Sequence, residues 1–556
     1  MKKGIGLLCL TTVLSVVTIA MASQNQSSDE TTGKRPDNGE KKEEAKGDLD
    51  VTQKVRDQNS KNFASPPANF AKGHVSVRQL SSESLKKNSK GFVVQFPSKA
   101  PIPTPTFYKG NLYVSGGFHS KEYYCLNSKG QCVWGITLDD DGPSSCVCDD
   151  GVCVFNTESC TIFAVDAKTG KMLWSHWLGD PLMSTPTIAN GKVFTAYPVQ
   201  GGGGFQQQEF GGDSFFPDDP KQPEKSQPEK SQTDQSKKES AAPTDSGNTA
   251  KKRPPCSHAM ACLDLKTGRI LWQRWIDSDV MSAPVANGDE IYAATFAGTV
   301  YRFQQTDGKV LSAIQSRATS APVIVGKDVF FTRRADDANS KVAEESILRL
   351  TREGNKKVFD KNRTRALHLD HAVQSKTRLA EKGQQLDANN GFSSGAPAAA
   401  NPNAALYNIG QGGVYTCQAW QGSRLLNCGK WNFNCQGDQV FCTDAETGQR
   451  KWAAKLGGDL EKLGGALAAP PVLAGGHLFL ATVSGEILQI NPANGKTETT
   501  YTVGSAMRTQ PIIQDGNIYV GTQDGKLVCI QTGNLKLTGW SCWGGNIAHS
   551  GTLAAN

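Results

Sequence analysis

The chain has 556 residues, 37% hydrophobic, with 57 glycines, which gives material for a sizeable core and for many tight turns rather than long helices. Its 60 basic and 53 acidic residues leave a net charge of +7. The two signs are mixed along the chain, which excludes a nucleic-acid footprint and describes an ordinary solvated surface.

The first residues read as an export signal. Lys2 and Lys3 supply the positive start, Ile5 to Ile19 an apolar run, and Ala20-Met21-Ala22 a small-residue cleavage site before Ser23. An uncleaved anchor is the alternative, since the run is almost long enough to span a bilayer. The expected location is the periplasm. Residues 23–89 are polar and poor in aromatics, and are expected to form a disordered tether. Phe92-Val93-Val94-Gln95-Phe96 follows as a short β-rich run with no partner in the repeats. It is expected to close a ring by pairing with the outer edge of the last repeat, beside Leu535–Thr538.

From there the chain repeats. V-D-A-K-T-G-K-M-L-W, holding Asp166, Thr169, Gly170 and Trp174, returns with Asp264, Thr267, Gly268 and Trp272, and again with Asp444, Thr447, Gly448 and Trp452. Weaker copies surround Gly130, Gly308, Gly354, Gly495 and Gly533. In each clear copy the Asp and Thr oxygens can bind backbone N–H groups, glycine supplies the positive φ, and Trp ends the following strand with a large apolar plate. Upstream of each turn lies a period-2 strand such as N-L-Y-V-S or N-I-Y-V-G. Most neighbouring turn glycines stand one propeller blade apart. The two long gaps hold inserts: 206–255, expected to be disordered, and 360–392, expected to be partly helical. The expected fold is all-β, an eight-bladed propeller of four-stranded antiparallel blades over 90–540, with a tail over 541–556. The last blade is expected to use Pro511–Gln514, Asn517–Thr522, Lys526–Gln531 and Leu535–Thr538.

There are 15 cysteines, and loss of Cys9 with the signal leaves an even number. Cys125, Cys132, Cys146, Cys148, Cys153, Cys160, Cys256, Cys262, Cys417, Cys428, Cys435, Cys442, Cys529 and Cys542 fall in close groups, which in an exported chain reads as disulfide bonding of open connectivity. Cys529 and Cys542 flank the last outer strand and are candidates to fix it. Zinc is the rival, but no C-x-x-C occurs and Cys146-x-Cys148 alone is a weak metal signal, so no metal is expected.

Ala164 to Trp174 matches A-x-D-x-x-T-G-x-x-x-W in full, and Cys262 to Trp272 and Cys442 to Trp452 match it with Cys at the first position. This is the tryptophan-docking motif, and the chain resembles the PQQ-like repeat superfamily. Tryptophan is missing from four weaker copies, where Ser312, Val358, Thr499 and Leu537 stand at its place. The resemblance implies a propeller, and leaves function between quinoprotein dehydrogenases and BamB-like envelope proteins. The dehydrogenases carry a disulfide between adjacent cysteines, and a calcium ion near the axis held by acidic and amide side chains. No Cys-Cys dipeptide and no C-x-x-C-H occurs here. No catalytic, cofactor-binding or metal residue is therefore expected, and PQQ with calcium belongs only to the alternative, a quinone-dependent oxidoreductase. The leading expectation is a monomeric exported scaffold, BamB-like in the broad sense. Its partner would be an envelope protein or complex, with membrane association through that partner.

Three further features carry less. His368 and His371 share a face only if helical, with no third ligand. Gly201 to Gly204 lack the Lys-Ser/Thr of a phosphate loop. The basic region from Arg333 to Arg365 interleaves with acids, which reads as a mixed surface.

Overall fold

A strand that alternates apolar and polar residues and ends in an Asp-x-x-Thr-Gly turn can bury its faces only against neighbouring sheets, so the repeats stack around a circle. In the computed structural model the described residues are 49–60, 73–118, 120–157, 161–178, 185–198, 258–336, 340–366, 424–463 and 466–552. They form eight antiparallel sheets, and all lie within the unit Lys46–Asn556.

Blade 1 is Thr106–Tyr108, Asn111–Ser115, Glu122–Asn127 and Cys132–Leu138, and blade 2 is Val147–Asp149, Val152–Asn156, Thr161–Asp166 and Met172–Trp177. Blade 3 is Thr187–Ala189, Lys192–Pro198, His258–Asp264 and Ile270–Ile276, and blade 4 is Val285–Asn287, Glu290–Ala294, Thr299–Gln304 and Val310–Gln315. Blade 5 follows with Val323–Val325, Asp328–Arg334, Glu344–Thr351 and Lys357–Arg365, and blade 6 with Leu425–Cys428, Trp431–Gln436, Gln439–Asp444 and Arg450–Lys455. Blade 7 is Val472–Ala474, His477–Ala481, Glu486–Ile490 and Thr497–Thr502. First strands of neighbouring blades touch between blades 1 and 2, 2 and 3, 3 and 4, 5 and 6, and 8 and 1, and so face the axis. The core is a chain of apolar clusters between adjacent blades, for example Phe194, Met260, Trp272, Ile291 and Phe303 between blades 3 and 4.

Blade 8 departs from expectation. Its first three strands are Ile512–Gln514, Asn517–Gly521 and Lys526–Gln531, but Leu535–Thr538 is not a strand. The outer strand is Gly91–Gln95, paired directly with Lys526–Gln531 in the register Val528↔Val93. The N-terminal run thus replaces the outer strand rather than covering it. Leu535 is left 77% exposed, and the chain turns inward so that Trp540 bridges Ile513.

The expected tether is ordered in its described parts. Leu49–Asp50 pairs with the outer strand of blade 4. The helix Thr52–Ser60 buries Val55 against it, and Asn59 accepts from Trp275 N of blade 3 at 2.8 Å. Gly73 O accepts from Ser175 Oγ of blade 2, Val75–Arg78 pairs with the outer strand of blade 1, and Leu85–Asn88 extends blade 8 beyond Gly91–Gln95. The segment is ordered although its composition is polar, because blade edges offer unpaired N–H and C=O groups that any backbone can satisfy. Asp360 to Arg365 are strand rather than helix. The signal, residues 23–48, the insert 206–255, residues 367–392 with His368 and His371, and Gly201 to Gly204 lie outside the described residues. Among the described residues no helix is long and apolar enough to cross a membrane.

Candidate functional site: turn girdle, filled axis and blade edges

The turn motif acts between blades. Asp166 Oδ1 accepts from Thr169 N at 2.8 Å and from Thr169 Oγ1 at 2.6 Å, and Asp264 with Thr267 and Asp444 with Thr447 repeat this. The threonine bonds hold all three carboxyls below their ordinary pKa. Each tryptophan reaches the turn of the next blade. Trp174 Nε1 donates to Leu265 O at 2.9 Å, Trp272 Nε1 to Gln305 O at 2.9 Å, and Trp452 Nε1 to Pro492 O at 2.9 Å. The rings lie on the turn glycines so closely that a Cβ on Gly268 or Gly308 would stand 2.6 Å from indole carbons. Trp134 does the same for blade 2, donating to Ala167 O at 3.0 Å.

At the weaker copies the structure corrects two expected positions. In blade 5 Val358 is exposed, and its neighbour Phe359 covers Gly448. Arg349 Nη1 donates to Ala445 O at 3.1 Å, replacing the indole N–H. In blade 8 Leu537 is not on the outer strand, and Phe92 covers Gly130 of blade 1. At Ser312 and Thr499 no ring fills the place: a Cβ on Gly354 would meet only Lys356, and one on Gly533 nothing within 4 Å.

The axis is filled by the C-terminal segment. Ser541 O accepts from Phe107 N of blade 1 at 2.7 Å, Ile547 O from Ile188 N of blade 3 at 3.1 Å, and Ala548 O from Ala286 N of blade 4 at 3.0 Å. Gly551 O accepts from Asn427 N of blade 6 at 3.0 Å, and Gln510 Oε1, before blade 8, from Gly544 N at 2.9 Å. His549 is the centre of this plug. Its ring lies 4.1 Å from that of Trp543, with Nδ1 2.9 Å from Trp543 O and Nε2 3.0 Å from Pro186 O. Burial pushes its pKa down to about 4, against the upward pull of the two carbonyls. Trp540 to Thr552 contains no carboxylate. Among the described residues the one group of three His, Cys, Asp or Glu side chains at metal-ligand distance is Cys146, Cys148 and Cys153.

The cysteines differ from expectation. Cys148 and Cys153, opposite each other on adjacent strands, form a disulfide. Cys125, Cys132, Cys146, Cys262, Cys428, Cys435, Cys442, Cys529 and Cys542 are free thiols. Strand alternation explains one grouping: Cys125 lies opposite Trp134 and is buried, whereas Cys132 lies opposite Leu126 and is exposed. Burial pushes Cys529 and Cys542 up to about 12. Cys160, Cys256 and Cys417 lie outside the described residues.

The basic region, expected as a mixed surface, turns part of its charge inward as ion pairs, with Arg334 fully buried. Arg349 pairs with Asp328 at 2.8 Å, Arg352 with Glu290 at 2.7 Å, and Arg334 with Asp336 at 2.6 Å. Burial raises the Glu290 carboxyl, but Arg302, Tyr292 and Arg352 bring it below the ordinary value.

Eight four-stranded blades, four of which dock a tryptophan on the turn of the next blade, define a PQQ-like β-propeller. The family model for outer membrane protein assembly factor BamB matches residues 84–207, 256–352 and 435–541, more than half of the chain, and the chain belongs to this family. No curated protein matches it in sequence. Among solved structures it is similar to BamB from Moraxella catarrhalis, at 12% identity over 80% of this chain and 97% of that one, TM-score 0.47. Sqt1 of Saccharomyces cerevisiae gives 9% identity over 78% and 97%, TM-score 0.46. A europium-containing methanol dehydrogenase gives 13% over 79% and 86%, TM-score 0.45.

Proposed function

We propose that the chain is an exported, non-catalytic scaffold of the cell envelope, which binds an envelope protein or complex through the outer edges of its blades. The observation that carries this reading is strand addition. Blades 1, 4 and 8 each hold a fifth strand on the outer edge, supplied by the N-terminal segment in antiparallel register. An edge that accepts these short polar strands accepts an extended peptide by the same main-chain bonds. The outer strands Lys357–Arg365, Arg450–Lys455 and Thr497–Thr502 of blades 5, 6 and 7 carry no added strand among the described residues. The filled axis supports the same reading, because it leaves the rim as the surface for contact. Family membership supports the envelope, and the Lys2 to Ala22 pattern supports export.

The test is photo-crosslinking in cells from Arg363 and Thr499, both exposed on free outer strands. Capture of one envelope protein from these positions, lost from Thr499 when Thr500→Pro removes an outward-facing N–H from the blade 7 edge, is the expected result. A quinone absorbance in the purified protein with substrate-dependent dye reduction would replace the scaffold by the oxidoreductase.

A further inference from the structure

In blade 2, Cys148 and Cys153 stand opposite each other across the hairpin of Val147–Asp149 and Val152–Asn156. Cys146 lies two residues before Cys148, on the same side of an extended chain. Its Sγ is 3.5 Å from Cys148 Sγ, and all three sulfurs lie within 4.8 Å of one another. All three residues are buried, at 1%, 2% and 0% exposure. The backbone of Cys146 is pinned to blade 1 by Thr106 Oγ1, which donates to its carbonyl at 2.6 Å. A disulfide needs two of these cysteines, so the third is left over from a purely structural staple.

A second observation points into the same cluster. The Tyr123 hydroxyl, on a residue 1% exposed, makes no well-formed hydrogen bond, and the polar group it faces is Cys146. A buried hydroxyl without a partner is costly. A thiolate at Cys146 would accept a hydrogen bond from it.

We propose that Cys146, Cys148 and Cys153 form a redox-gated site for a soft monovalent d10 cation, copper(I) in the first instance, with Tyr123 supporting the Cys146 ligand from behind. The disulfide is the closed state. A dithiol opens it: the Cys148–Cys153 bond breaks, each sulfur takes one electron and one proton, and the dithiol leaves as its own disulfide. The cation then replaces thiol protons, which go to solvent. Three sulfurs about 2.3 Å from one ion stand about 4 Å apart, within the spread that the hairpin sets. Ligand chemistry selects the ion. There is no imidazole or carboxylate in the cluster, soft thiolates prefer copper(I), and zinc asks for a fourth ligand. This inference is independent of the scaffold reading and concerns a different part of the molecule.

The test uses the full chain, reduced under argon with a phosphine that is then removed, and titrated with copper(I) against a chromophoric chelator. The oxidised chain and Cys146→Ser are measured alongside. The reduced chain should bind one more tight equivalent than the oxidised chain, and Cys146→Ser should lose that equivalent while keeping its disulfide. Tyr123→Phe keeps the ring stacked on Phe155 and should weaken copper binding by about 10-fold without changing the melting temperature of the oxidised chain. Equal copper binding by reduced and oxidised chains, or an unchanged equivalent in Cys146→Ser, would overturn the site. Loss of affinity in Tyr123→Phe only in proportion to lost stability would remove Tyr123 from it.

Discussion

The Phe92 ring stands over Gly130, so close that a Cβ on the glycine would lie 2.7 Å from Phe92 Cδ2. Phe92 belongs to the strand that completes blade 8, and Gly130 to the turn between the third and fourth strands of blade 1. One side chain from before the first blade therefore makes, between last and first blades, the contact that tryptophan makes elsewhere. Phe92→Ala should cost about 3–5 kcal/mol, the usual range for a buried aromatic. Truncation through Pro97 should destabilise the whole ring by more than truncation through Lys72, which among the described residues removes the helix and strand on blades 3 and 4. Urea unfolding compares the three; equal midpoints for the two truncations would mean that the ring is closed elsewhere.

Blade number and turn chemistry were legible because each turn needs a positive-φ glycine, three of the turns add the Asp-Thr pair, and most of the glycines recur one blade apart. The closing strand was also legible, since Phe92 to Phe96 was a β-rich run without a partner. Its exact partner was not, because Leu535–Thr538 has a strand-like spacing and only tertiary competition for the edge of Lys526–Gln531 decides between them. The ordered N-terminal segment was hidden for a related reason. Edge pairing uses backbone groups, which leave no mark on composition. The tail was visible as a pattern, but which blades Ile547, Ala548 and His549 reach depends on closure of the ring.

Trp272 and Gly308 form one unit. The ring lies where a Cβ would be, and Nε1 donates to Gln305 O. Gly308 has φ of 69°. Trp272→Ala should cost about 3–5 kcal/mol by loss of packing. Gly308→Ala should cost more than the ordinary glycine-to-alanine change in a turn, since it adds a clash with the indole to backbone strain. The costs should be less than additive in the double variant, because the alanine methyl then enters space that the indole has left. Chemical denaturation of the four proteins measures this.

Glu345 of blade 5 and Arg424, at the entry to blade 6, form a buried pair at 2.6 Å with side chains 0% and 2% exposed. Arg424 also donates to Thr319 O at 2.9 Å, and Gln436 to Glu345 at 3.3 Å. Glu345→Ala should cost about 3–5 kcal/mol, because it breaks a buried ion pair by removing one of its two members. Replacing both partners by apolar residues should cost less than that single change. A melting series over the single and double variants checks the order.

His549 gives the plug a pH dependence of defined sign. A neutral imidazole has one N–H, so it can donate to Pro186 O or to Trp543 O but not to both. Burial still favours the neutral ring and lowers the pKa to about 4, whereas the unfolded chain has a value of about 6.5. Between these values the unfolded chain binds more protons, so the contribution to stability is complete above about pH 6.5, declines as the pH falls towards 4, and is flat below. The gap of about 2.5 units corresponds to roughly 3 kcal/mol at most. His549→Gln retains an N–H donor for one carbonyl and removes the titrating group. The urea midpoint of the native chain should therefore fall between pH 7 and pH 4.5 by more than that of His549→Gln. Removal of residues 541–556 should lower stability at both pH values, because the bonds to blades 1, 3, 4 and 6 are lost together. Identical pH slopes in the native chain and in His549→Gln would show that the ring is not what makes the plug sensitive to acid.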